Sequence, residues 1–184
     1  MKKLIITTLF VLPVAASAVD NFSGWHIGGE LSTVKYSMTG EVKGSGSQGT
    51  GLAIIGGYGF DFSQNFVGII EGKFKLSNAK ITDEDDETLK EKYQASIAYL
   101  QGYRITENIM PYIKVGASVS QIDYSSDKYE GVGVRGIDYG LGVKYAIDKN
   151  LALGVNFTRH NLAGGDDSVK FKGNRFGLNL SYRF

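Results

Sequence analysis

Alternation with a period of two runs through most of the chain, and it limits the fold more than any other feature. The last ten residues, RFGLNLSYRF, set Phe176, Leu178, Leu180, Tyr182 and Phe184 against Arg175, Gly177, Asn179, Ser181 and Arg183. Successive side chains of a strand point to opposite faces, so this is a strand with one apolar and one polar face. Strand-type patterning recurs in eight segments, at 24–37, 50–61, 65–77, 92–105, 109–122, 132–147, 150–161 and 169–184. Each is about 10 to 16 residues long, beyond the roughly 5 to 6 of a globular strand and suited to a tilted strand crossing a bilayer. Residues 79–91, AKITDEDDETLKE, have no apolar stripe at helical spacing and are predicted to be a charged loop.

The two faces differ in kind. Ile70, Phe74 and Leu76 oppose Glu71, Lys73 and Lys75, while Ile137, Tyr139, Leu141, Val143 and Tyr145 oppose Asp138, Gly140, Gly142 and Lys144. A soluble barrel of lipocalin type would turn the apolar face inward, so alternation alone does not choose between the two. Aromatic residues near strand ends (Trp25, Tyr58, Phe60, Tyr103, Tyr145, Tyr182, Phe184) match an interfacial girdle. The opposite face is rich in glycine, as the inside of a narrow barrel must be. The alternation blurs near Val34 and after Val119, where bulges close to loops are expected.

Connections alternate too. DFSQN, ITEN and IDKN are short and end in Asn65, Asn108 and Asn150, residues that suit tight turns. The other connections are richer in Gly, Ser, Asp and Glu, and the first two are clearly longer. This layout predicts an all-β fold: an eight-stranded, up-and-down antiparallel transmembrane barrel with short periplasmic turns and longer extracellular loops.

The N-terminus, MKKLIITTLFVLPVAASA, has two lysines, a short apolar run and an A-x-A site, the layout of a secretory signal peptide over residues 1–18. Residues 19–184 then form one barrel domain. Without Lys2 and Lys3 the formal charge of +1 becomes −1 (+1 − 2), so nothing basic points to nucleic acid. There is no cysteine, hence no disulfide or thiolate chemistry.

Glu30, Glu71, Lys73, Lys114, Asp138 and Arg175 are predicted to face inward as a polar network, with Glu30 and Arg175 meeting where the barrel closes. Gly140→Ser is expected to be mild, as a small inward polar change. Lys80, Lys90 and Lys92 flank the charged loop and are candidate contacts for lipopolysaccharide phosphates. His26 and His160 fall at opposite ends of the barrel and cannot form a dyad, and His160 is expected to be a loop-edge polar group. TDEDDETLKE lacks calcium-loop spacing, and GEVKGSGSQGTG lacks the strand–glycine–helix context of a phosphate cradle. No metal or cofactor is expected.

The terminal SYRF, with apolar alternation back to Phe176, resembles the signal by which Gram-negative outer-membrane proteins engage the barrel-assembly machinery. The run MPYIKVGASVS…GIDYGLGVKYAIDKNLALGVNFTRHN…NRFGLNLSYRF resembles the outer-membrane β-barrel domain family, which includes OmpX/Ail proteins, the OmpA barrel and the opacity and NspA types. The resemblance implies a monomeric outer-membrane protein whose partners are membrane lipids, lipopolysaccharide, the assembly machinery and host surface proteins. TRHNLAGGD lacks the His-x-Ser pair of the lipid A deacylases, so the resemblance implies no enzyme. A non-enzymatic role in envelope structure or adhesion is the expectation, with a small passive channel as the alternative and a lipid A-modifying enzyme behind both.

Overall fold

The computed structural model describes residues 21–39, 49–76, 79–81, 89–124, 132–164 and 170–184. The described residues contain nine strand segments: β1 (Gly24–Thr39), β2 (Gly49–Asp61), β3 (Phe66–Lys75), β4 (Ala79–Ile81), β5 (Leu89–Tyr103), β6 (Ile109–Tyr124), β7 (Val132–Ala146), β8 (Leu151–Gly164) and β9 (Lys170–Arg183). β3 and β4 both pair with β5, so they form one interrupted stave. Each stave is antiparallel to its neighbours, and the β1–β9 and β3–β5 pairings close the sheet into an eight-stave barrel.

Closure explains why so long a chain of strands leaves no open edge. Paired residues followed round the wall from His26 pass through Gly57, Glu71, Ala98, Gly116, Asp138, His160 and Gly173. They return to β1 at Tyr36, a stagger of ten residues (36 − 26). Eight staves with such a stagger tilt by about 40° and enclose a space that side chains can fill.

The alternation sorts residues between hydrocarbon and lumen. Ile97, Ile113, Leu141 and Val155 point outward, and Ile113 is 67% accessible. Trp25–Tyr58 and Phe66–Tyr103 each stack at 5.1 Å, with Tyr182 against Phe184 at 5.5 Å, all near the end of the barrel that carries the short turns. In two of those turns the closing bonds come from the residue two before the asparagine. Thr106 Oγ1 accepts from the amides of Asn108 and Ile109, and Asp148 Oδ1 from those of Asn150 and Leu151 at 2.7 and 2.8 Å. These bonds hold the exposed Asp148 carboxyl below the usual carboxylate range.

Three expectations are corrected and a fourth is located. Residues 79–91 are not all loop: Ala79–Ile81 pairs with Leu89–Glu91, because ladder bonds need only backbone and extend the hairpin past its charged side chains. The β1 register runs unbroken past Val34, which points inward while Lys35 points outward, so what blurs there is side-chain chemistry rather than geometry. The irregularity expected after Val119 is present in the β5–β6 ladder, where the extra residue lies on β5 between Glu91 and Tyr93, opposite Ile122 and Gln121. Gly140 is a site of close approach: a Cβ there would sit 2.1 Å from the Phe157 carbonyl oxygen, so a serine must displace backbone.

Candidate functional site

The lumen has a charged middle built from facing walls. Lys73 on β3 donates to Glu30 on β1 at 2.6 Å, and Asn156 on β8 donates to the other Glu30 oxygen at 3.0 Å. Lys144 on β7 reaches Glu71 on β3 at 3.2 Å, and His26 Nε2 lies 3.7 Å from the same oxygen. Each pair bridges staves that are not neighbours, so the bonds cross the lumen. A charge held away from water costs far less when it is paired and bonded, and these four ions are.

Nearer the β7–β8 end of the pattern, Asp138 accepts from Ser118 Oγ at 2.9 Å and lies 2.7 Å from His160 Nδ1. His160 is therefore inside the barrel on β8 and 2% accessible, not at a loop edge, because its register position, opposite Asp138, falls on the inward face. His160 bonds to Asp138, whereas His26 lies near Glu71 without a hydrogen bond to it, so the two histidines face different carboxylates and form no dyad.

All six residues expected to face inward are buried. Glu30 joins Lys73, whereas Glu71 takes Lys144 and Asp138 takes His160. Among the described residues Lys114 and Arg175 make no ion pair. Glu30 and Arg175 do not meet: across the β1–β9 seam Glu30 pairs with Asn179, and Arg175 with Val34, four residues further along. Arg175 Nε and one terminal nitrogen have no hydrogen-bond partner. Lys144 and Asn156 were missing from the expected network, although both occupy the polar face of their strands. Lys80 and Lys90 pair with each other in the hairpin extension, Lys92 falls at the β5 register shift, and the side chains of all three lie outside the described residues.

Toward the short-turn end the lumen also holds an apolar cluster, which alternation did not reveal. Phe22, Val67, Ile69, Leu100, Met110 and Tyr112 form a buried cluster with Ala98 and Ala146, and Leu100 is fully inaccessible. Phe176, Leu178, Leu180, Tyr182 and Phe184 all face outward, and β9 is zipped to both β1 and β8.

A family model for the outer membrane protein beta-barrel domain matches residues 4–184. The chain belongs to that family. Outer membrane protein A of Escherichia coli O157:H7 is 26% identical over 204 residues, an alignment covering all of this chain and 55% of that protein. This chain therefore spans about half the length of such relatives. Among solved structures, Neisserial surface protein A is similar with a TM-score of 0.67 at 14% identity, covering 88% of this chain and 98% of that one. Ail of Yersinia pestis gives 0.58 at 19% identity, covering 88% and 99%. The family barrel is an outer-membrane barrel of Gram-negative bacteria, and the outward apolar wall, inward polar network and closed eight-stave sheet described above are its physical signature.

Proposed function

We propose that this family member is a non-conducting, non-enzymatic surface protein that acts through its extracellular ends on lipopolysaccharide or host surface molecules. The observation that carries the reading is the set of ion pairs crossing the lumen, Lys73–Glu30 and Lys144–Glu71. A barrel of eight staves has an interior just wide enough for side chains, and here those side chains hold one another across it. Its interior therefore serves stability, and recognition falls to the ends. The Yersinia pestis barrel of similar fold is an attachment invasion locus protein, and a structure of it holds the heparin analogue sucrose octasulfate; both support a role in surface contact. Terminal alternation from Phe176 to Phe184 supports recognition by the barrel-assembly machinery, and the lysines at 80, 90 and 92 remain proposed contacts for lipopolysaccharide phosphates.

The test is binding of the purified, refolded barrel to immobilised lipopolysaccharide, fibronectin, laminin and complement regulators. Saturable binding to one of these is expected, lost when residues 40–48 and 82–88 are replaced by short Gly-Ser links and Lys80, Lys90 and Lys92 by glutamine in the same variant. Binding to none of them would contradict the reading, as would binding that survives the replacement.

A further inference from the structure

The short stretch before β1 does not simply lead into the first strand. Asn21 Nδ2 donates to the Glu107 carbonyl and to Asn108 Oδ1, each at 2.9 Å. Glu107 and Asn108 lie in the turn between β5 and β6, three staves from β1 in one direction and four in the other. Residues 21–24 thus reach from one wall to the opposite wall. Between these anchors Phe22 is 5% accessible and packs into the apolar cluster with Val67, Leu100, Met110 and Tyr112. Its carbonyl sits against Gly59 on β2, where a Cβ would come within 2.1 Å.

The chain must then turn sharply into β1, and it does so at Gly24 with φ of +100°. A residue with a Cβ is strained there. The space left beside the stretch, between Phe22, His26, Lys144 and Arg183, is a pocket of about 20 Å³, room for a single water.

We infer that residues 21–24 are a strap closing the lumen at its short-turn mouth, with Phe22 as the stopper, Asn21 as the far anchor and Gly24 as the bend. The lumen is then sealed twice, by Lys73, Glu30 and Asn156 at mid-height and by the strap below. Any small solute that reaches the polar middle arrives from the opposite end. The strap also couples the first residues of the barrel to the β5–β6 turn, contacts that form only once the staves between them are in place.

The chain has no cysteine, so one introduced thiol reports the state of the mouth. Ala146→Cys places it in the buried apolar cluster that contains Phe22. The refolded barrel in detergent is treated with a small hydrophilic methanethiosulfonate, and the modification rate is measured with Phe22 present and in the Phe22→Gly background. Phe62→Cys, in an exposed turn, serves as the freely reactive reference, and heat-modifiable migration confirms folding of every variant. The strap predicts slow modification with Phe22 present and a rise on the order of tenfold in Phe22→Gly, with a smaller rise in Asn21→Ala. If Ala146→Cys does not fold, Ala98→Cys in the same cluster takes its place. Equal rates with and without Phe22, or rapid modification of the starting variant, would overturn the proposal.

Discussion

The middle and the lower lumen solve the same problem by different chemistry. At mid-height, polar groups from separate staves fill the space, Lys73 with Glu30 and Asn156, and the Lys144–Glu71 pair carries this network down to the edge of the apolar cluster. Below them, Phe22, Val67, Ile69, Leu100, Met110 and Tyr112 fill it by apolar contact. The first region tolerates no missing partner, because an ion left alone in a confined space loses its only compensation. The second tolerates change of shape poorly but has few polar groups to orphan. Inward-facing is thus not a synonym for polar in a barrel of this width; what the interior requires is that it be full.

Substitutions should separate the two regions. The largest effect is expected for Glu71→Ala, which strands Lys144 and should destabilise by about 3 to 5 kcal/mol, read from urea unfolding in detergent micelles. Water entering the lumen would lower that figure, and an unchanged midpoint would remove the ion pairs from the account of stability. Leu100→Ala, in the apolar cluster, should cost about 2 to 5 kcal/mol through the cavity it leaves. That loss should be insensitive to salt. The outer wall gives a reference: Leu141→Arg exposes a charge to hydrocarbon and should cost about 2 to 4 kcal/mol in lipid. If it were harmless in lipid, the assignment of the outer face would be wrong.

Glycines sharpen the comparison further. Gly140→Ser forces a Cβ against the Phe157 carbonyl, whereas a Cβ at Gly133 meets nothing within 4 Å. The first should lower the yield of heat-modifiable barrel and the second leave it unchanged; equal yields would mean that the walls adjust more readily than their close approach suggests.

The smallest effect is expected at Asp148. Its carboxyl is held below the usual range by two backbone amides, so folding favours the ionised form. A depressed pKa contributes stability that is fully present above the unfolded value of about 4 and is lost as pH falls through the folded value. Asp148→Ala should therefore unfold slightly earlier than the unaltered chain at pH 7, and the gap should close in acid. A gap that widened on acidification would contradict the turn geometry.

The architecture was legible because alternation and turn spacing are local, and both are written in every strand. Which face a residue takes is local as well, which is why Glu71, Lys73 and Asp138 could be placed inside from their neighbours alone. Partnership across the lumen is not local. The ten-residue stagger decides that Glu30 faces Lys73 and Asn156 rather than Arg175, and no single strand encodes it. Phe22 was missed for a related reason: it precedes the first alternating segment, so no periodicity marks it, and only the fold brings it beneath Leu100. Gly24 carried the available signal, a glycine at the entrance to a strand where the chain must bend.

The occluded lumen is the central claim, and conductance tests it most directly. Pure refolded protein in planar lipid bilayers should show no steady ionic current at moderate voltage, because paired side chains occupy the middle and an apolar cluster occupies the lower end. Large, stable, repeated openings of the unaltered protein would contradict this and return the barrel to the class of small channels.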